Sequence, residues 1–419
     1  MSLLLKLKDR LFYGWVIVFS FLIIGTALWG TRLSFGVFLK SLESEFDLTR
    51  AGTSVIFSVY MALGIIFAVI GGRALDRYGP KVIVLLMGIS TGLSLLLTSQ
   101  VNSLWQLFIT YSLLLSIGTG PLYVVLMSTV SRWFDKKRGL AVGIASSGIG
   151  LGTIFIAPFA TYLITILDWR MTYLIMGILV CIAVIPLSGF LRKDPHEVGA
   201  LPDGAESTQP VVNKEEYSVQ STGLSLLQVI RTRSFWLIIF IWMLFASPTF
   251  VIFTHLVAHT TDIGFSPGQA ATVFSIIGAS GIAGRVLMGI IADRIGRKRT
   301  AILCVLLQAG TFIWLAFSQD LWMLYVFAII YGFANGGMTT SMSALIGDTF
   351  GLARMGTILG LLDVGFGIGA AVGSTIGGLI FDITNNYFIA FLAGAAVLFI
   401  VTVLMALIRQ ETNENSGAG

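Results

Sequence analysis

Long apolar runs alternate with short polar segments along the whole chain. Charged residues and clusters of Gly, Pro, Asn and Asp mark the boundaries of these runs. A helix of about 20 residues crosses the hydrocarbon layer of a membrane, where every span must satisfy its own backbone hydrogen bonds. The pattern therefore predicts an all-α membrane protein with twelve transmembrane spans, numbered in chain order: 12–39, 51–72, 80–100, 104–131, 139–166, 169–191, 234–261, 267–291, 299–317, 321–347, 355–380 and 386–408.

The composition excludes an ordinary soluble protein. Of the 419 residues, 56% are hydrophobic and 11% are charged, whereas soluble domains carry about 25% charged residues. The first apolar run is too long for a signal peptide and lacks a small-residue cleavage site, so we expect it to remain as span 1. Cys181 and Cys304 both lie in predicted spans, where we expect small packed residues rather than a disulfide or metal ligands.

The basic residues are concentrated on one side of the predicted membrane topology. Of the 26 Lys and Arg residues, 21 lie on the side of the membrane that holds both termini. The other side has only Lys40, Arg50 and Arg170. The positive-inside rule predicts that the basic side, with both termini, faces the cytoplasm. The net charge of +5 therefore follows the topology, and no nucleic-acid partner is expected.

Two charged decapeptides reveal an internal repeat. GRALDRYGPK begins at Gly72 and GIIADRIGRK begins at Gly289, 217 residues later. The same offset superimposes four glycines of span 5 on four glycines of span 11. The sequence therefore predicts two six-span halves in the same orientation, residues 1–191 and 234–419. They are joined by a flexible cytoplasmic linker, 192–233, that is rich in Pro, Ser and acidic residues.

Each decapeptide is predicted to form part of a cytoplasmic gate. Its glycines permit a tight loop, and its aspartate can pair with an arginine or accept hydrogen bonds from a helix N-terminus. The alternative is a pair of basic loops that only fix the orientation. The pattern resembles the loop motif of the major facilitator superfamily, which implies alternating access with cargo near the membrane midplane. The residues of the predicted gate are Gly72, Asp76, Arg77, Gly79, Gly289, Asp293, Arg294 and Gly296.

Arg285 is the strongest candidate for binding an anionic cargo. An arginine inside a span costs about 2.5–3.5 kcal/mol on insertion scales, so its presence there indicates a function. It lies eight residues before Asp293 in span 8, which corresponds to about 12 Å along a helix. A planar guanidinium can hold a carboxylate through two hydrogen bonds. The alternative is a structural pairing with Asp363 or with a helix C-terminus.

Four further residues are predicted to shape the cargo site. Tyr331 and Asn335 lie one turn apart on span 10 and offer a phenol and an amide. Tyr123 lies on span 4, and Leu28 lies on span 1. Tyrosines in spans also serve as packed or interfacial residues, so that alternative stays open for both.

Three residues are candidates for proton coupling. Arg32 lies within span 1, where the alternative is that its side chain extends to the outer surface. His255 lies deeper in span 7 than His259, which is expected at the water interface; an intramembrane histidine titrates near physiological pH. Asp363 lies well inside span 11 and either carries a proton or balances a basic residue.

Two stretches resemble the proton-coupled monocarboxylate transporter family of the major facilitator superfamily. RWFDKKRGLAVGIASSGIGLG begins at Arg132, and FYGWVIV begins at Phe12 without the acidic residue that usually precedes it. The resemblance extends over the whole chain and is greatest to bacterial members that carry L-lactate. It implies that Arg285 holds the substrate carboxylate and that Arg32 replaces a lysine linked to proton uptake. Animal members have an aspartate where this chain has Gly281.

The route of the proton stays open at this stage. Arginine does not deprotonate in proteins, so Arg32 cannot itself be the carrier. His255, Asp363 and movement of the undissociated acid are the alternatives.

The sequence as a whole predicts an alternating-access transporter that moves a small monocarboxylate of the L-lactate and pyruvate class together with a proton. We expect it to act as a monomer among the lipids of a bacterial inner membrane. The alternative on the same fold is an organic-anion exchanger of the oxalate and formate type, which Arg32 would favour as a second cation. No nucleotide loop, metal cluster or catalytic triad is visible in the sequence, so neither an enzyme nor a cofactor is expected.

Overall fold

The computed structural model describes residues 12–134, 137–198, 230–350 and 355–407. Eleven segments in these ranges are long and apolar enough to cross a membrane. One of them, Arg50–Thr98, has 49 residues, or about 74 Å of helix, which is more than twice the thickness of the hydrocarbon layer. It supplies two spans. The all-α architecture with twelve spans is therefore confirmed.

The 49-residue segment is divided by a turn at Gly79. This residue has φ 77° and ψ 168°, and Pro80 follows it. Glycine adopts a positive φ without steric cost, and proline cannot donate the next helical hydrogen bond. Gly296 has φ 95° at the equivalent point of the second half, between spans 8 and 9. Each decapeptide therefore continues one helix and turns at its last glycine.

The helices of the spans have the following bounds. In the first half they are Tyr13–Leu33 and Phe35–Phe46 for span 1, Arg50–Thr98 for spans 2 and 3, Leu104–Leu107, Phe108–Leu114, Leu115–Thr119 and Leu122–Trp133 for span 4, Arg138–Ser146 and Gly148–Ile166 for span 5, and Trp169–Ser188 for span 6. In the second half they are Arg233–Asp262, Pro267–Ile295, Arg297–Ala316, Leu321–Phe350, Met355–Thr384 and Phe388–Leu407 for spans 7 to 12. A short 3₁₀ helix, Pro195–Val198, follows span 6.

Span 1 differs from its prediction, because it continues beyond residue 39 to Phe46 and is interrupted at Ser34. The Ser34 hydroxyl donates a hydrogen bond of 2.6 Å to the carbonyl oxygen of Gly30. A serine bonded to the preceding turn in this way bends a helix. The outer part of span 1, Phe35–Phe46, is therefore a separate segment, and it packs against span 7.

Two hydrophobic cores stabilise the two halves. Trp133, Tyr111 and Tyr173 are among the largest fully buried side chains of the first core, and Tyr331 and Tyr387 are among those of the second. The halves contact each other mainly through span 2 with span 11, span 5 with span 8, and span 1 with span 7. Cys304 is buried, Cys181 is partly buried, and both are free thiols.

The spans alternate in direction, so their ends lie on two faces. We call the face with the start of span 1 and the Gly79 and Gly296 turns the terminal face. The face with the connections 47–49, 263–266 and 385–387 is the opposite face.

Candidate functional site

Close packing of spans 8 and 10 positions Arg285. A Cβ atom added to Gly336 would overlap the carbonyl oxygen of Gly281 and would lie 3.1 Å from the backbone nitrogen of Arg285. Only glycine allows the two backbones to approach in this way. Asn335, next to Gly336 in the chain, is thereby brought to the same level of the protein as Arg285.

The Arg285 guanidinium has no structural ion-pair partner among the described residues. Its Nη1 atom is buried without a hydrogen bond to them, and none of the ion pairs in the same ranges involves Arg285. The alternative pairing with Asp363 is therefore not observed in this conformation. A buried charge without a partner is costly, so this guanidinium is available for an anionic ligand.

Residues of both halves surround Arg285. Tyr123 of span 4 is close enough to interact electrostatically with Arg285 and with Asp363 of span 11. Asp363 in turn interacts with Arg32 of span 1. Asn335 contributes a second buried donor, since its Nδ2 atom also has no hydrogen-bond partner in the described chain. Arg285, Tyr123, Asp363 and Arg32 thus interact across the interface of the halves. Asn335 lies next to the backbone contact between spans 8 and 10.

The predicted site residues differ in how far their side chains are exposed. The side chains that remain partly exposed are those of Arg32, Tyr123, Arg285, Asn335 and Asp363. The other two predicted cargo residues, Leu28 and Tyr331, both have 0% exposure. Neither side chain is accessible in this conformation, and their role as cargo contacts stays a prediction.

Tyr331 packs in an aromatic group behind Asn335. Its ring lies 5.2 Å from that of Phe327 and 6.0 Å from that of Phe312, measured between centroids. Its hydroxyl lies beside Thr249 and Asn335 and has no hydrogen bond of good geometry to the described residues. Tyr331 and Asn335 therefore lie side by side on span 10, with the phenol enclosed in the core of the second half.

Gln308 of span 9 is a polar neighbour that the sequence prediction missed. A Cβ atom added to Gly337 would lie 2.8 Å from the Cys304 sulfur, and the Phe312 ring packs on Tyr331, so Gln308, midway between Cys304 and Phe312, lies on the face of span 9 that packs against span 10. Its side chain is fully buried, and neither amide atom is hydrogen bonded within the described chain. A polar amide deep in an apolar run is the sequence feature that could have identified Gln308.

Arg32 points into the protein rather than to the outer surface. Its Nη2 atom lies 3.2 Å from the sulfur of Met61, and its guanidinium carbon lies 5.9 Å from the centre of the Tyr60 ring. The aromatic face stabilises the cation. The alternative of a side chain extended to the surface is therefore not observed.

The first predicted gate sequence is held within its own half. Arg132 of span 4 forms an ion pair of 3.1 Å with the Asp76 carboxylate, and Lys193 donates to the Asp76 carbonyl oxygen at 2.6 Å. A Cβ atom added to Gly72 would lie 3.4 Å from the Val124 side chain of span 4. Arg77 stacks on the Tyr78 ring at 5.3 Å.

The second gate sequence has a corresponding arrangement. A Cβ atom added to Gly289 would lie 3.7 Å from the Thr340 side chain of span 10, so Gly289 lies beside span 10 as Gly72 lies beside span 4. Arg294 is exposed, and Gly296 makes the turn. The Asp293 side chain lies outside the described residues. Near Gly289 a cleft of about 550 Å³ separates span 5 from spans 8 and 10, with the lining residues Gly139, Leu140, Val286, Gly289, Thr340 and Ser341.

His255 is not part of the Arg285 site. It is fully buried near the opposite face, where its Nε2 atom lies 2.8 Å from the carbonyl oxygen of Ser374 and its Nδ1 atom lies 3.0 Å from the Tyr387 hydroxyl. His259 lies in the last turn of span 7 and is also buried, at 9% exposure; its expected position at the water interface stays a prediction. The fold encloses it with the aromatic rings of Tyr387 and Phe391.

Comparison with known protein families identifies the family to which this chain belongs. Residues 15–289 and 256–418 match the Major Facilitator Superfamily. The chain belongs to this superfamily. As a Major Facilitator Superfamily transporter it is an integral membrane protein, and it is a transporter rather than an enzyme.

Relatives within the superfamily match nearly the whole chain. Monocarboxylate transporter 13 of Rattus norvegicus is 27% identical over 390 residues, which cover 92% of this chain and 86% of the relative. Monocarboxylate transporter 12 of Homo sapiens is 25% identical over 419 residues, which cover 95% of this chain and 80% of the relative. The sequence resemblance to the monocarboxylate transporters is confirmed at this level.

Solved structures have the same fold at low sequence identity. The chain superimposes with a TM-score of 0.72 on an inward-facing, occupied bacterial homolog of the human lysosomal transporter Spinster. The identity is 15%, and the match covers 94% of this chain and 96% of the other. The unoccupied inward-facing form gives a TM-score of 0.69. These similarities concern the fold alone.

Proposed function

We propose that this transporter carries a small monocarboxylate anion between its two halves by alternating access. The observation that carries the proposal is the buried Nη1 atom of Arg285, which has no hydrogen-bond partner in the described ranges and lies at the interface of the halves. A guanidinium binds a carboxylate through two parallel charge-assisted hydrogen bonds. The monocarboxylate transporters among the relatives support the same class of cargo.

The surrounding side chains favour a short, polar acid. Asn335 offers a buried amide donor at the level of Arg285, and Tyr123 faces the site from the other half. A hydroxyl or keto oxygen next to the carboxylate would accept a hydrogen bond from one of them. L-lactate and pyruvate have such an oxygen, so we propose this class of acid as the cargo.

The charges of the site favour an anion as the cargo. Arg32 and Arg285 carry two positive charges, and Asp363 carries one negative charge when it is ionised and none when it is protonated. Charge buried away from water is costly, so one carboxylate neutralises the site with Asp363 ionised, and a dicarboxylate neutralises it with Asp363 protonated. The inward orientation of Arg32 is the observation that favours this second candidate, an exchanger of the oxalate type.

We further propose that a proton moves with the anion through Asp363, with the basic terminal face in the cytoplasm of a bacterial inner membrane. Asp363 is partly exposed between the halves and forms none of the ion pairs of the described chain. A carboxylate that interacts with Arg32 without a direct ion pair can take up and release a proton during the cycle.

Counterflow in proteoliposomes tests the proposed cargo. Vesicles loaded with unlabelled L-lactate should accumulate external labelled L-lactate, and oxalate should compete poorly. Arg285→Ala should lower the initial rate by at least about 30-fold, because it removes a charge-assisted contact worth about 2 kcal/mol or more. Arg170→Ala, which removes a charge from the opposite face, is the control and should retain most of the rate.

Normal L-lactate counterflow by the Arg285→Ala variant would contradict the proposed binding site. Efficient counterflow of oxalate with none of L-lactate would instead support the exchanger.

A further inference from the structure

Charged groups of both halves meet at the opposite face around Arg50, the first residue of span 2. The Arg50 side chain is only 7% exposed and forms an ion pair of 2.6 Å with Glu43 of its own half. From the second half, Asp262 lies 3.1 Å and the Tyr387 hydroxyl 2.9 Å from its Nη1 atom. We call the whole set the Arg50 cluster: Lys40, Glu43, Arg50, His255, Asp262, Asp382 and Tyr387.

Asp382 caps the N-terminus of span 2 across the interface of the halves. Its two carboxylate oxygens accept hydrogen bonds of 2.9 Å from the backbone N–H groups of Arg50 and Ala51. The first N–H groups of a helix have no partner within the helix, and their dipoles favour a negative charge. Thr49, of the same segment, accepts a hydrogen bond of 3.1 Å from the Gly52 N–H group, whereas the acceptor for Arg50 and Ala51 is a residue at the end of span 11.

The backbones of spans 2 and 11 touch beneath this cap. A Cβ atom added to Gly378 would lie 2.7 Å from the Cα atom of Ala51. Farther into the membrane, the Ser58 hydroxyl lies 2.6 Å from the carbonyl oxygen of Ala371 and 2.7 Å from the Thr375 hydroxyl. The two spans are therefore joined by polar contacts from the opposite face inward.

Tyr387 and His255 extend the cluster into the second half. A carbonyl oxygen only accepts hydrogen bonds, so the Nε2 atom of His255 carries the hydrogen that is donated to Ser374. With His255 neutral, its Nδ1 atom accepts from the Tyr387 hydroxyl, whose oxygen accepts from Arg50. The bonds run in one direction from the cation to the backbone of span 11.

The second segment of span 1 adds a further connection between the halves. Lys40 forms an ion pair of 2.6 Å with Asp262. A Cβ atom added to Gly36 would lie 2.6 Å from the carbonyl oxygen of Thr254. The interruption at Ser34 thus allows this segment to lie directly against span 7.

The internal repeat does not reproduce the Arg50 cluster at the other junction of the halves. The residues equivalent to Arg50 and Asp382 are Pro267 and Thr165. Neither residue is charged, so the start of span 8 and the end of span 5 lack this pair. In the ranges that the structure describes, the ion pairs between the halves therefore lie around Arg50 and Asp262.

We propose that the Arg50 cluster is the latch that holds the opposite face closed. Arg50 is a positioning residue for transport, because it joins spans 1, 2, 7 and 12 in the closed state. Removing one partner of a buried ion pair leaves the other charge unpaired and strongly destabilises the closed arrangement. When the halves separate, water can solvate the same charges, so the latch is reversible. The inference rests on alternating access and not on the identity of the cargo.

Thiol accessibility tests the latch without any cargo. The reporter is Ser58→Cys in a protein whose Cys181 and Cys304 are replaced by Ala, labelled with a membrane-impermeant maleimide from the opposite face. Arg50→Gln should raise the labelling rate by about tenfold or more, because the buried pairs of Arg50 are lost. Asp382→Asn keeps the shape of the cap without its charge and should give a smaller increase.

Arg170→Gln is the matched control. Arg170 lies at the same face and contacts the Glu45 carboxylate at 2.5 Å and the Val101 carbonyl oxygen at 2.6 Å, but both partners belong to its own half. Its removal should leave the labelling rate of the Ser58→Cys reporter within about twofold of the parent.

Equal labelling rates in the Arg50→Gln and Arg170→Gln proteins would overturn the latch. If Arg50→Gln does not give folded protein, as judged by its melting curve, the labelling rate of Asp382→Asn is compared with that of Arg170→Gln instead. Equal rates in those two proteins would also overturn the latch. A failure of the cargo proposal would not affect these rates, because no anion is present in the experiment.

Discussion

At the scale of single residues, the surroundings give two intramembrane arginines different roles. Arg32 has a sulfur atom and an aromatic face beside its guanidinium, whereas the Nη1 atom of Arg285 has no hydrogen-bond partner among the described residues. Both cations stay charged during transport. Of the three charged residues Arg32, Arg285 and Asp363, only the carboxylate of Asp363 can change its charge, and it interacts with Arg32 across the interface.

Asp363→Asn should separate proton coupling from anion movement. The amide keeps the shape of the carboxylate but cannot exchange a proton, so an inward pH gradient should no longer stimulate L-lactate uptake. Counterflow without a gradient should persist to within about threefold, because Arg285 still binds the anion. Initial rates in proteoliposomes with and without the gradient measure both effects.

Stimulation by the pH gradient at the parental level in Asp363→Asn would exclude this carboxylate as the carrier. Loss of stimulation in the presence of a protonophore is the control for the parent protein.

At the scale of elements, the glycine contact between spans 8 and 10 determines where Arg285 lies. Gly336 approaches the backbone of span 8 so closely that any added atom must displace it. Gly310 of span 9, by contrast, has open space where a Cβ atom would lie. The two glycines therefore differ in packing although both occur inside helices.

Gly336→Ala should destabilise the protein by about 1–3 kcal/mol, because overpacking forces the two backbones apart. L-lactate binding should weaken at the same time, since Arg285 and Asn335 would separate. Gly310→Ala is the matched control and should not lower the melting temperature. Melting curves with and without L-lactate report both quantities; an unchanged curve for Gly336→Ala would show that spans 8 and 10 are not in backbone contact.

At the scale of the whole molecule, the excess of basic residues predicts the orientation in the membrane. The terminal face carries most of the Lys and Arg residues, and the opposite face carries the Arg50 cluster. The positive-inside rule therefore predicts a cytoplasmic terminal face. In that orientation the latch separates the cargo site from the outside.

A thiol at Gly264 should test this orientation. Gly264 lies in the 263–266 connection with nothing near the place of a Cβ atom, so Gly264→Cys should react with an impermeant maleimide added to intact cells. Tyr78→Cys, at a position that is 55% exposed on the terminal face, should react only after the membrane is opened. The reverse pattern would invert the predicted topology. Cys181 and Cys304 are again replaced by Ala in both proteins.

The features that the sequence alone determined are properties of short segments. Apolar length set the number of spans, because each must cross the same hydrocarbon thickness. The repeated glycines located the Gly79 and Gly296 turns, and the cost of an intramembrane charge singled out Arg285. The sequence did not determine which side of each helix faces its neighbours. Lipid and protein core are both apolar, so the two sides of a span differ little in their pattern of hydrophobic residues.

Tertiary structure alone decided which side chains became partners. Leu28 and Tyr331 resembled cargo residues in the sequence but are enclosed by their own halves. Arg50 and Asp382 are 332 residues apart in the chain and meet only because spans 2 and 11 pack across the interface. A hydrogen bond acts over about 3 Å in space, so helix rotation and the docking of the two halves selected these pairs.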